Sequence, residues 1–294
     1  MAALLASESG IYGRFGYGPA IPTVSLSIDR HAAQYASGRP PRERIDMLTG
    51  DDAVQRVPHI YEPIQRSSSG MLARPQTWWP FWLGRDPEAA RNGYGPRFCA
   101  VLAERGYVVY RIKQGRNDDV PHGLLRVIEL VAADAEAYRA LWQFVFDVDL
   151  VGVIEAELRP ADELLGMLLA EPLRLRQRSA EPFYLRLTQL DVSLAARRYA
   201  AQASLVLQVH DPVCAWNAGR WRLEASRDGA SCIRTDDDPD VSLDTRELAT
   251  AYLGAVGFRR LALAGLVSEH TPGAVSRADA LFRTDAMPWT PFDF

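Results

Sequence analysis

Residues 106–147 restrict the possible folds of this chain more than any other stretch. GYVVYRIK (106–113) and GLLRVIELV (123–131) are short apolar runs rich in β-branched residues, read as consecutive strands. QGRNDDVPH between them is dense in turn-forming residues. DAEAYRALWQFVFD (134–147) follows, with Tyr138, Leu141, Trp142, Val145 and Phe146 at helical spacing and Asp134 in the N-cap position. An aromatic face of this kind is expected to be core.

The same two periods assign other segments. Ala2 to Ser7 is a short strand-like run, and TVSLSID (23–29) alternates as a half-buried strand. Asp51 to Arg66 reads as a helix. SGRPPRER (37–44), with two prolines, marks a first boundary. Beyond about Ser179 the chain reads as shorter elements. PFYLRLTQLDVSLAARRY gives strand, acidic turn and helix, ASLVLQVHD a strand, and SCIRT another. AWNAGRWRLEA (215–225) reads as a hairpin turning at Asn217-Ala218-Gly219 between two tryptophans. Thr245 to Val256 and Arg259 to Leu266 read as helices. The class is α+β, or mixed α/β.

The net charge of −4 gives no basic surface for nucleic acid. The cations are arginines apart from Lys113. No apolar run has the length of a bilayer span, and the first residues lack the basic start of a secretory leader. Cys99, Cys214 and Cys232 are odd in number and far apart, which fits neither a disulfide framework nor a metal site. A reduced cytoplasmic setting is expected. DDDPD (236–240) lacks the spacing and closing glutamate of a calcium loop, so a solvated loop is expected. His210 and Cys214 have no further ligand in view, and no metal is expected.

SESGIYGRFGYGPA (7–20) follows the first strand and precedes TVSLSID. Its composition alone suits a tight glycine corner plugged by aromatics. Its order, a strand, a tyrosine-bearing turn and an aromatic-glycine entry into a second strand, resembles the closing half of a GNAT acetyltransferase domain. The fuller string resembles the Eis (enhanced intracellular survival) family of N-acetyltransferases. YVVYR, LWQFVFDVDLV, DPVCAWNAGRWRL, ADALFRTDAMPW and the terminal PFDF resemble that family too, in its order and across nearly the whole chain.

The resemblance implies three parts: the C-terminal part of a GNAT domain (1–40), a GNAT-like domain without a cofactor site (41–178) and a sterol-carrier-protein-like domain (179–294). It also implies a homo-hexamer that moves an acetyl group from acetyl-CoA to amines of cationic substrates of aminoglycoside, polyamine or lysine type. Such transfer needs a neutral amine, a stabilised oxyanion and a reprotonated thiolate. By motif position Tyr12 is the general acid; a phenol near pKa 10 can still protonate a thiolate of about 8.5. Ser7 and Glu8 match positions at the acyl end of acetyl-CoA, and Tyr17 is expected to be packing. The base implied is the α-carboxylate of Phe294, raised above its usual value of about 3.5 by apolar neighbours such as Trp289. Asp293 would draw in a polycation. The arginine- and glycine-containing pyrophosphate loop of a GNAT domain has no match before Tyr12. The first domain is therefore expected to lack its early strands, and a non-catalytic binding or scaffolding protein is the alternative.

Overall fold

The computed structural model describes residues 1–6 and 8–292. In chain order the first strands are β1 (Ala2–Leu5), β2 (Gly18–Asp29), β3 (Asp46–Leu48), β4 (Phe98–Leu102) and β5 (Gly106–Lys113). A small ribbon, β6 (Arg116–Asn117) with β7 (Val120–Pro121), leads to β8 (Gly123–Ala132), β9 (Val151–Pro160) and β10 (Arg176–Arg186). The last five are β11 (Ala203–His210), β12 (Gly219–Ala225), β13 (Ala230–Arg234), β14 (Val241–Asp244) and β15 (Val267–Glu269). The α-helices begin with α1 (Ser9–Tyr12), α2 (Gly50–Ser67), α3 (Ala135–Phe146) and α4 (Leu165–Leu168). They end with α5 (Leu190–Ala196), α6 (Thr245–Ala251), α7 (Phe258–Leu263) and α8 (Ala274–Phe282). Contacts divide the chain into one unit of residues 24–180 and another of residues 1–23 with 181–294.

In the 24–180 unit the strand order is β10, β2, β9, β8, β5, β4, β3. β5 pairs antiparallel with β8, from Gly106 opposite Ala132 to Lys113 opposite Leu124. β8 then pairs parallel with β9. A parallel neighbour needs a crossover, and α3 supplies it. Asp134 caps α3 by accepting from the Glu136 and Ala137 amides at 3.0 and 2.9 Å. Arg105 donates to the same carboxylate at 2.7 and 3.0 Å, and these hydrogen bonds lead the effects that hold it down to about 2. Leu141, Trp142, Val145 and Phe146 are buried against Val24, Leu26, Ile28, Val127 and Ile154. The short β3 sits at one edge, and Lys113 ends β5 in solvent near Gly93.

Two buried ion pairs organise this unit. Arg74 meets Glu129 in a fork at 2.9 and 2.7 Å, Tyr107 donates to the same carboxylate, and the guanidinium lies 4.2 Å from the Tyr61 ring centre. Arg159 holds Glu163 at 2.6 Å and donates to the Leu130 carbonyl at 2.9 Å, while Tyr138 also hydrogen-bonds Glu163.

In the other unit β1 pairs antiparallel with β10, from Ala2 opposite Arg186 to Leu5 opposite Phe183. A second sheet runs β13, β12, β11, β14, β15. Here the expected tryptophan hairpin is corrected. The hairpin partners are β11 and β12, with Ala203 opposite Ala225 and Val209 opposite Gly219. Ala215 and Trp216 lie in the loop between them, because Asn217 is held there by hydrogen bonds to its side chain. The two helices expected at 245–256 and 259–266 are α6 and α7. They are shorter, and β15 takes the chain from Val267. Among the described residues no helix is long and apolar enough to cross a membrane.

The Asp134 cap has a direct test. Asp134→Ala is expected to cost about 1 kcal/mol, read as a lower denaturant midpoint at unchanged slope.

Candidate active site

The glycine-rich segment forms a compact turn. β1 leads to α1, a single turn ending at Tyr12, and a 3₁₀ turn follows over Gly13–Phe15. Gly16 closes it in the left-handed region at φ 77°, its amide donating to the Gly13 carbonyl at 3.0 Å. β2 then starts at Gly18. Tyr12 and Tyr17 are both half-buried, and their rings meet edge to face at 6.0 Å. Among the described residues no hydrogen bond involves the Tyr12 hydroxyl.

Gly16 and Gly18 are required by what lies beside them, and Gly13 is closely approached. A Cβ on Gly16 would fall 2.8 Å from the Arg186 guanidinium carbon and 2.8 Å from the Thr245 methyl. On Gly18 it would fall 2.1 Å from the Arg246 carbonyl oxygen, and on Gly13 3.2 Å from the Arg246 guanidinium. The turn is therefore seated against Arg186, at the end of β10, and against the first turn of α6. Gly10, by contrast, has nothing within 4 Å of such a Cβ.

Arg186 is itself fixed. It meets both Asp211 oxygens at 2.7 Å and donates to the Thr245 hydroxyl at 2.7 Å. Asp211 also accepts from the Cys214 amide at 2.8 Å and from the Asn217 side chain at 3.1 Å. Burial pushes the Asp211 carboxyl up, but the Arg186, Cys214 and Asn217 hydrogen bonds outweigh it and hold the group below its usual range. Neither Arg186 nor Asp211 was singled out in the sequence, and Cys214 and Asn217 were read in other roles. The one local cue was Asp211-Pro212, an arrangement in which an aspartate caps its own following amides.

The other expected site residues are placed as follows. Glu8 is exposed, immediately before α1. Trp289 is half-buried in an irregular tail in which Pro288, Thr290 and Pro291 are buried. Ser7, Asp293 and Phe294 lie outside the described residues. In DDDPD, Arg220 donates to the Asp236 and Asp237 carbonyls at 3.0 Å, and Arg277 holds Asp240 at 2.8 Å. Among the described residues no group of three or more potential ligands could hold a metal.

Comparison with known proteins places these elements. Residues 70–187 match the acetyltransferase (GNAT) domain model, and residues 190–291 match the sterol carrier protein domain model. An uncharacterised N-acetyltransferase of Streptomyces avermitilis is 37% identical over 302 residues, covering 100% of this chain and 73% of that protein. The N-acetyltransferase Eis of Mycobacterium bovis is 32% identical over 301 residues, covering 100% of this chain and 72% of Eis. The chain belongs to the Eis family of N-acetyltransferases. The crystal structure of Eis1 from Mycobacterium abscessus superposes with a TM-score of 0.84 at 35% identity, covering 100% of this chain and 73% of Eis1. As an Eis-family acetyltransferase, the chain thus carries its tyrosine turn on residues 186, 245 and 246, at or within its matches to the two domain models.

Gly16→Ala is expected to cost about 1–3 kcal/mol through left-handed strain and the clash with Arg186, whereas Gly10→Ala stays within about 1 kcal/mol of the parent; paired thermal melts read both. Asp211→Asn is expected to cost about 3–5 kcal/mol at neutral pH. The Asp211 contribution is fully present above its unfolded value of about 3.9 and is lost as pH falls through the lower folded value. The gap between parent and variant should therefore close only below about pH 4.

Proposed function

We propose that this Eis-family chain transfers an acetyl group directly from acetyl-CoA to an amine of a cationic, polyamine- or aminoglycoside-like substrate, with Tyr12 as general acid. The observation that carries this reading is the half-buried Tyr12 phenol on a turn held close by Gly16 and Gly18. GNAT acetyltransferases use acetyl-CoA, and the match to that domain model supports it as donor.

In the proposed reaction the α-carboxylate of Phe294 takes the proton of the substrate ammonium. The freed amine nitrogen bonds to the thioester carbonyl carbon. As the carbon–sulfur bond breaks, Tyr12 gives its phenolic proton to the departing thiolate. The nitrogen's second proton and the one held on the Phe294 carboxyl pass to solvent, and one proton taken back restores the phenol, so each turnover releases one proton. Ser7 and Glu8 are assigned to the acyl end of the donor, and Asp293 with Trp289 to the cationic acceptor. Tyr17 packs against Tyr12 and is assigned no proton transfer. The same reading assigns a hexameric assembly and three domains, at 1–40, 41–178 and 179–294.

Tyr12→Phe should lower kcat by about 10²–10⁴-fold with little change in KM, measured with acetyl-CoA and a polyamine. Tyr17→Phe should leave kcat within about twofold, since the ring is kept. An unaltered kcat in Tyr12→Phe would remove the acid role. One glycine added after Phe294 should abolish turnover, and full activity in that variant would remove the terminal-carboxylate role.

A further inference from the structure

One face of the sheet in the 24–180 unit carries charged side chains in a pattern that the acetyl transfer does not use. Strand alternation sends Val24, Leu26 and Ile28 of β2, Leu125 and Val127 of β8, and Ile154 and Ala156 of β9 into the core. Their neighbours face the other way. Ser25 and Ser27, Glu155 and Glu157, and Arg126, with Arg176 and Arg178 of β10, line a groove of about 370 Å³. Because the strand order is β10, β2, β9, β8, the groove has an arginine pair on one side, two serines in the middle and a glutamate pair beyond them.

The charges do not cancel locally. Among the described residues Arg126 is the one cation paired with Glu155 and Glu157, at 3.6 and 3.7 Å, and it also lies over the Tyr94 ring at 4.7 Å. One arginine against two carboxylates leaves about one negative charge on that side. Arg176 and Arg178 are exposed, and among the described residues neither makes an ion pair. That side holds two uncompensated positive charges. β10 and β9 are separated by two strand spacings, about 10 Å, and long side chains reach inward from both.

We infer that this groove binds a small zwitterion, such as an ω-amino acid. Its carboxylate lies between Arg176 and Arg178, its chain crosses Ser25 and Ser27, and its ammonium faces Glu155 and Glu157. A ligand with opposite charges about 6–10 Å apart satisfies both ends at once. A simple anion would meet the glutamates, and a simple cation the arginines, so each half alone gains less. The groove lies in the unit that does not contain Tyr12, and the inference is independent of the roles proposed for Tyr12 and Phe294.

Calorimetric titration of the full chain at low salt with 6-aminohexanoate, hexanoate and hexylamine tests it. The zwitterion should bind about fivefold or more tightly than either half-molecule, as expected from one added ion pair. Arg178→Gln should weaken 6-aminohexanoate and hexanoate but not hexylamine. Glu157→Gln should weaken 6-aminohexanoate and hexylamine but not hexanoate. Both substitutions are at exposed positions, and unchanged melting temperatures would show that the fold is kept. Three results would overturn the inference: no binding of 6-aminohexanoate, hexanoate binding as tightly as the zwitterion, or full affinity in Arg176→Gln/Arg178→Gln.

Discussion

The Arg186–Asp211 pair is the interaction on which the placement of the tyrosine turn depends. Both side chains are almost wholly buried, so each gives up hydration that a single ion pair barely offsets. The surrounding hydrogen bonds change that balance: Thr245 takes one guanidinium donor, and Asn217 and the Cys214 amide fill the remaining carboxylate positions. The pair joins the end of β10, the loop between β11 and β12, and the start of α6. Gly16 lies directly on the guanidinium, with no room for a methyl group. The direction in which Tyr12 leaves the turn therefore follows from a charge pair far away in sequence.

The 24–180 unit uses the same device twice, in Arg74–Glu129 and Arg159–Glu163. In all three pairs the guanidinium does more than supply charge. It forks onto a carboxylate, reaches a backbone or hydroxyl oxygen, or lies beside aromatic rings. A lysine could not replace any of them, because a point charge on a flexible stem lacks the planar set of donors. The abundance of arginine, which in the sequence looks like a compositional habit, has a structural use at these sites.

Much of the fold was legible where a local signal and its tertiary role agreed. α3 has both its periodicity and its Asp134 cap in the sequence, and β5 and β8 are apolar enough to leave little choice. The tryptophan hairpin misled because Trp216 and Trp221 flank a turn-like Asn-Ala-Gly, while the loop is held by distant partners: Leu190 donates to Asn217, and Asn217 donates to the Leu187 carbonyl. α8 follows Gly273, which sits in the left-handed region, without a side-chain cap to announce the helix. At the candidate site the glycines read correctly as a turn. Their reason, the nearness of Arg186 and Arg246, was invisible because those residues are more than 150 positions away. Tyr12 is singled out by its motif alone, and nothing local to it encodes the support of its turn.

Lys113, at the exposed end of β5, gives this acetyltransferase an unusual relation to its own chemistry. It is the sole lysine in the chain, so this acetyltransferase presents a single lysine amine to its own acetyl donor. Among the lysine side chains of residues 1–294, acetyl groups acquired by the enzyme itself can collect on that amine alone. The intact mass of the protein therefore serves as an internal reference, one that separates acetylation of a true acceptor from stray acetylation of the catalyst.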